Sequence, residues 1–345
     1  CRVTYSPLGI SEQNVEAAKA AIKHIARFGF DTNEGQNAQW HPVLENPLWD
    51  EIPFLRGLKD KARLQLGTSG SGNHFIDLMK AGNGYGILTH SGSRGVGHKV
   101  GTYYMNLAEK LCPANAPKGY GYLIFDSAEG REYWAAMQLM GEYAQACHHL
   151  IHARINLALR IEGIDTDVRE NVLSGSQLKS VYTVVDGIQN TEHISVIENH
   201  HNFAWLEYGP NGEVLLIHRK GATPAARGQV GIIPGSSGSN SYVVLGMQAM
   251  EGFAYHSPAW NSSSHGAGRV SSRKAAKANH DAVAMEKHYQ DFGTELFGVA
   301  PDETVAAYKN VEDVMYAQRH LVEKVLTLKP IFAAMGGLQK SDDGD

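Results

Sequence analysis

The chain has 345 residues, 43% of them apolar and 19% charged, with a formal net charge of −5. This is enough for one large domain or two ordinary ones with a real core. It excludes a globally basic nucleic-acid binder, so any such surface has to be a local patch.

There is no apolar run of the roughly 18 residues that a membrane-spanning helix needs, so no membrane association is expected. The start, Cys1-Arg2-Val3-Thr4-Tyr5, lacks a basic-then-apolar signal pattern, and without an initiator Met further residues are expected upstream. Cys1, Cys112 and Cys147 are too few and too scattered for a disulfide framework, which fits a cytoplasmic location.

In chain order, Val15, Ala18, Ile22, Ile25 and Ala26 recur at helical spacing and predict an amphipathic helix over Glu12 to Phe30. A polar stretch bearing Trp and Pro follows to about Leu58. From Leu66 the texture turns to short apolar runs broken by Gly, Ser and Asn, with Tyr85 to Thr89 reading as a buried strand that runs into His90. Glu132 to Leu159 lacks Pro and predicts one or two long helices. Val181 to Asp186, Ile194 to Ile197, Phe203 to Tyr208 and Val214 to His218 read as strands between Gly, Asn and Pro turns. Ala275 to Tyr289 and Val311 to Leu328 read as helices, with Asn310 or Asp302 as candidate caps. The acidic end, residues 338–345, is expected to be disordered. Together these predict an α+β protein with one large domain.

Seventeen histidines is a high count. Five islands set a histidine among small residues: Gly70-Ser71-Gly72-Asn73-His74-Phe75, His90-Ser91-Gly92-Ser93-Arg94-Gly95, Asn199-His200-His201-Asn202, His218-Arg219-Lys220-Gly221 and Ser264-His265-Gly266-Ala267-Gly268-Arg269. Glycine and serine let a backbone approach a ligand closely and offer amide donors to phosphate. Imidazoles bind metals, while Arg94, Arg219, Lys220 and Arg269 supply positive charge. Spacing alone does not assign these islands a metal. A strand running into Gly231 to Ser241 could cradle a nucleotide or form a plain polar turn, and it is not a P-loop. His148 and His152, four apart beside Cys147 and His149, could share a metal, although a solvated helix face is the plainer reading. Arg269, Arg273 and Lys277 would share one helix face as a basic stripe for a nucleic-acid backbone, or as an ordinary solvated face.

The five islands, their order, the Gly231 to Ser241 loop and the Ala307 to Val311 and Leu328 to Pro330 stretches resemble the RtcB family of RNA-splicing ligases, over Cys1 to about Gly337. The resemblance implies a single domain over residues 1–337, with mixed and antiparallel sheets around a central metal cleft flanked by helices. It implies two Mn2+ ions held by Cys1, His74, His90 and His201, with Cys1 bridging. His265 would be the nucleophile that takes GMP from GTP. Asn73, His74, Phe75, Ile76, Asp77, His201, Asn202, Pro234, Gly235, Ser236, Ser237, Ser241, His265, Gly266, Ala267 and Gly268 would contact the guanylate, and Arg94, Lys220 and Arg269 the phosphate or RNA.

The implied reaction joins RNA 3′-phosphate or 2′,3′-cyclic phosphate ends to 5′-hydroxyl ends, in tRNA splicing or RNA repair, with an archease-like activator as a possible partner. The alternatives are a 3′-phosphate-capping nucleotidyltransferase, a catalytically weak metal-binding paralogue and, more weakly, a metal-dependent phosphodiesterase. This chain departs from the family pattern in three ways. The family's metal-binding Asp would fall before residue 1, Asp77 stands for a guanine-contacting Glu, and Met335 stands for a Lys. Those departures suggest a divergent branch.

Overall fold

A computed structural model describes residues 1–28, 40–70, 72–112, 116–117, 119–164, 166, 172–173, 196–209, 211–247, 259–279 and 281–336. The strands predicted at Val181 to Asp186 and at the start of Ile194 to Ile197, and the acidic tail, lie outside these residues.

The strands are β1 (Arg2–Leu8), β2 (Phe75–Ala81), β3 (Gly84–Ser91), β4 (Val172–Leu173), β5 (Val196–His200), β6 (Asn202–Tyr208), β7 (Val214–Lys220), β8 (Ala222–Pro224), β9 (Val230–Ile233), β10 (Ser241–Gly246), β11 (Ser262–Ser264), β12 (Glu295–Phe297) and β13 (Val322–Met335). The main sheet runs β4-β5-β1-β3-β2-β13-β10-β9, with β12 added beside β13. All pairs are antiparallel except β4/β5 and β12/β13. β6/β7 and β8/β11 form separate two-stranded ribbons. The α+β class and the mixed sheet agree with the expectation.

The helices are α1 (Val15–Ile25), the short α2 (Leu48–Glu51), α3 (Pro53–Arg56) and α4 (Lys59–Gln65), α5 (Arg94–Leu111), α6 (Ala128–Ile161), α7 (Arg273–Ala278), α8 (Ala282–Phe292) and α9 (Val311–Ala317). The predicted long helix is a single element, α6, of 34 residues, started by the Ser127 hydroxyl accepting from Gly130 N.

Several expectations fail for local reasons. The helix expected over Val311 to Leu328 stops at Ala317, although Asn310 caps it as expected. Residues from Val322 form β13 instead, because the first half of that strand pairs with β10 and the second half with β2. Pro330, which has no amide to give a helix, sits at the register shift. The helix expected over Ala275 to Tyr289 is divided, since the Asp281 carboxylate accepts from Ala284 N and starts a new helix. Arg94 and Gly95, the end of the second histidine island, lie in the first turn of α5. Asp302 lies in a 3-10 turn rather than capping a helix.

Away from the register shifts at Val243/Val244 and Pro330/Phe332 the sheet alternates between its two faces. Its outer face, with Ile76, Leu78, Ile87, Phe332 and Ala334, packs on α1 and on Ile151, Ile155 and Leu159 of α6. Its inner face closes over Val3, Tyr5, Phe75, Met79, Leu88, Ile197, Ile232, Val243 and Leu328. The sheet curls far enough for β5 to reach β9. Ile232 N donates to Asn199 Oδ1 at 2.9 Å, so a side-chain amide joins two strands that share no ladder. A third core sets Trp49, Leu55 and Leu58 against α5 and the first half of α6.

Candidate active site

The candidate ligands stand where inner-face positions reach the strand ends. Cys1 precedes β1, His90 lies near the end of β3 and His201 follows β5. Pairing of Val3 with His90 and with Asn199 aligns the three. Their ligating atoms lie within 4.8 Å of one another, and the Nε2 atoms of His90 and His201 are 3.0 Å apart. His74, from the loop before β2, puts Nε2 3.9 Å from Cys1 Sγ. Three of the four expected metal ligands therefore meet, and His74 stands beside them, in reach of the thiol and with its ring 5.5 Å from that of His90.

Burial, reinforced by neighbouring cationic groups, depresses each imidazole. His74 and His201 are held well below the usual range and His90 falls to about 3, so all three are neutral at pH 7. Neutral imidazole is the ligating form. His90 Nδ1–H donates to the Asn73 carbonyl at 3.1 Å, leaving the Nε2 lone pair for an ion. The buried Nδ1 atoms of His74 and His201 have no hydrogen-bond partner among the described residues. A donor set of imidazoles and a thiolate suits Mn2+, Zn2+ or another borderline cation.

His265 sits beside this cluster, its ring 4.6 Å from that of His201. Its Nδ1–H donates to the Gly221 carbonyl at 2.8 Å, and the same carbonyl accepts the His265 amide. The tautomer is thereby set, with the lone pair on Nε2. Burial lowers the ring's pKa against the effect of the Gly221 hydrogen bond. Gly221 holds φ +67, a conformation open to glycine, as it turns from β7 into β8.

A cleft of about 650 Å³ opens over His265 and His90. Asn73, Phe75, Pro234, Gly235, Ser236, Ser237, Gly266, Ala267 and Gly268 line it, together with Arg269, Glu303, Tyr308 and Met335. Most of the expected guanylate contacts are thus gathered there. The exceptions are informative. The Ile76 side chain faces the outer core, away from the cleft. Ser241 lies behind the loop, where its hydroxyl accepts from Gly235 N at 3.1 Å. Ser239 takes the amide of Ser236 at 2.8 Å. The loop's serines therefore fix its shape and occupy two amides that the sequence offered to phosphate. Asn202 accepts from Gly221 N and faces a second cleft beside Cys1, His200 and Phe203. Asp77 lies under Ser237, whose hydroxyl is 3.5 Å from Asp77 Oδ2 and 3.6 Å from Met335 Sδ. Burial raises the Asp77 carboxyl well above the carboxylate range.

Of the expected phosphate contacts, Lys220 is exposed near His265. Arg94 is buried, its Nε donating to Thr68 Oγ1 at 2.9 Å. Arg269 stacks on Tyr308, pairs with Glu303 at 3.2 Å and donates to the Ser271 and Asp302 carbonyls. The proposed basic stripe is corrected: Arg269, Arg273 and Lys277 all turn toward Glu303 and Asp302. Arg219 pairs with Glu207 across the β6/β7 ribbon. His148 and His152 form neither a metal pair nor a solvated face, because both are buried against the sheet. Sequence reasoning missed Glu303 and the orienting carbonyls of Asn73 and Gly221. A backbone carbonyl leaves no trace in a sequence, whereas Tyr308 lay within a stretch already singled out.

The family model described as tRNA-splicing ligase RtcB matches residues 6–336. The chain belongs to the RtcB family. Among curated RtcB relatives, it is 32% identical over 304 residues to the RNA-splicing ligase RtcB of Escherichia coli K12, covering 87% of this chain and 68% of that one. It is 28% identical to the tRNA-splicing ligase RtcB of Nanoarchaeum equitans over 89% of this chain and 67% of the relative. For the tRNA-splicing ligase RtcB of Thermococcus kodakarensis the figures are 27%, 81% and 61%. The chain therefore spans about two thirds of the length of these RtcB proteins.

Proposed function

We propose that this RtcB-family chain is the catalytic domain of a GTP- and Mn2+-dependent ligase that joins RNA 3′-phosphate or 2′,3′-cyclic phosphate ends to 5′-hydroxyl ends. The observation that carries this reading is the placement of His265. Its free Nε2 stands between a cluster of imidazoles and a thiol on one side and a Gly/Ser-lined cleft on the other.

Cys1, His90 and His201, with His74 beside the thiol, would hold the manganese. Bound manganese would neutralise phosphate charge and align the reacting groups. His265 Nε2 attacks the α-phosphorus of GTP and pyrophosphate leaves, giving a phosphoramidate. The Gly221 carbonyl keeps the developing imidazolium oriented through Nδ1–H. A 2′,3′-cyclic end would first be opened by water, which cleaves the P–O2′ bond to leave a 3′-phosphate; GMP then passes to the RNA 3′-phosphate, freeing His265. The 5′-hydroxyl attacks that activated phosphate and expels GMP. Phe75 and the Pro234 to Ser237 loop would flank the nucleotide, with Lys220 the exposed cation nearest the reacting phosphate.

The test is a ligation assay. One RNA strand ending in a 3′-phosphate and one beginning with a 5′-hydroxyl should join in the presence of Mn2+ and GTP, and not with His265→Ala. If the 3′-phosphate is capped with a nucleotide and never joined, the ligase reading is wrong and a capping enzyme replaces it.

A further inference from the structure

The strands that carry Cys1, His90 and His201 toward the inner face carry a second set of side chains on the outer face, where α6 lies across them. Arg2 follows Cys1, Ser91 follows His90 and His200 precedes His201, and Arg2 is in register with both Ser91 and His200. Arg2 Nη1 is 2.6 Å from His200 Nε2, and its other nitrogen pairs with the buried Glu198 carboxylate. Glu198 also accepts from Thr4, and from Gln145 and His149 of α6, at 3.2, 2.8 and 2.9 Å. His148 of α6 bridges Thr4 Oγ1 at 2.9 Å and Ser91 Oγ at 2.8 Å. His152, one turn on, meets Thr89 Oγ1 at 2.8 Å.

Where α6 crosses the ends of β1, β3 and β5 its packing is polar. α6 packs apolar side chains before it, from Ala136 to Cys147, and after it, from Ile151 to Leu159. Gln145, His148, His149 and His152 fall on one face between these stretches. An apolar layer would hold the helix at least as well, since buried ionic groups give little net stability. Arg2 Nε and His152 Nδ1 are the polar layer's buried atoms without a partner among the described residues; what the remaining hydrogen bonds add is orientation of the backbone positions they grip, and of these Arg2, Thr89, Ser91 and His200 are immediate neighbours of a candidate ligand.

We infer that Arg2, Glu198, His148 and Ser91 form a positioning network that holds Cys1, His90 and His201 in ligating geometry from the far side of the sheet. The inference rests on the metal reading above. Its residues touch no metal or substrate, so they act through the strands.

The test measures Mn2+ affinity by calorimetry and the thiolate-to-metal absorption of the Co2+-loaded protein, alongside thermal unfolding of the metal-free protein. His148→Leu should weaken Mn2+ binding by about 10–100-fold, as loss of groups that orient metal ligands does, and should alter the cobalt spectrum. Ser91→Ala, a smaller change that decides the matter if His148→Leu does not fold, should weaken binding by about tenfold. Tyr143→Phe is the control. It removes another buried hydrogen bond of α6, to the Ala62 carbonyl, and should lower the unfolding temperature without moving affinity or spectrum. Ser91→Ala and any folded His148→Leu that keep wild-type affinity and spectrum would overturn the network. Failure of the unaltered protein to bind Mn2+ at all would instead remove the metal centre, and this inference with it.

Discussion

At the scale of single residues, two imidazoles of the site, His90 and His265, have the free nitrogen selected by what the opposite nitrogen meets. Asn73 and Gly221 do this for His90 and His265 with backbone carbonyls. Beneath the cleft, burial raises the Asp77 carboxyl well above the carboxylate range, and the neighbouring thioether of Met335 offers it no charge. Met335→Lys would place an ammonium within reach and favour the ionised, purely accepting form of Asp77. Steady-state guanylylation should then show KM for GTP lowered by about tenfold, the usual scale of one charge-assisted contact. An unchanged or raised KM would separate this pair from base recognition.

At the scale of elements, the sheet and α6 share a titratable layer with a clear acid signature. Burial pulls His152 from 6.5 to about 4. The folded state keeps it neutral while the unfolded chain binds the proton, so its contribution is full above pH 6.5 and is lost as pH falls through about 4. The shift is worth about 3 kcal/mol. Urea unfolding of the metal-free protein should weaken steeply over that window, and His152→Gln should flatten the slope by about one proton. Parallel curves for the two proteins would remove His152 from the account. The same layer marks the limit of what the sequence discloses. The histidine islands were legible because glycine and serine mark close approach, and Val214 to His218 and Phe203 to Tyr208 were legible from their bounding turns. β13 was not, because Val314, Met315, Leu321, Val325 and Leu328 also fit a helical period, and only the open edges of β10 and β2 decide for a strand. The burial of His148 and His152 was equally hidden, since a polar helix face looks the same whether it meets water or a polar sheet.

At the scale of the whole molecule, the site draws on the start of the chain (Cys1), its first third (His74, His90), its middle (His201, Gly221) and its last quarter (His265, Tyr308). Nothing local holds these together, so an ion bridging them binds the folded state alone. Mn2+ at a hundredfold excess over its dissociation constant should stabilise the fold by about 2.7 kcal/mol, and chelation should reverse this. Cys1→Ser, which replaces the thiol of the candidate metal cluster, should remove most of that increment in a thermal shift measurement. An increment unaffected by Cys1→Ser would place the ion elsewhere.

The most direct measurement is mass spectrometry of the protein after incubation with Mn2+ and GTP, with peptide mapping under alkaline conditions that preserve phosphoramidates. One guanylyl group should be found on the peptide carrying His265, and on that histidine. A guanylyl group on a lysine, or none on a protein that binds both Mn2+ and GTP, would contradict the account.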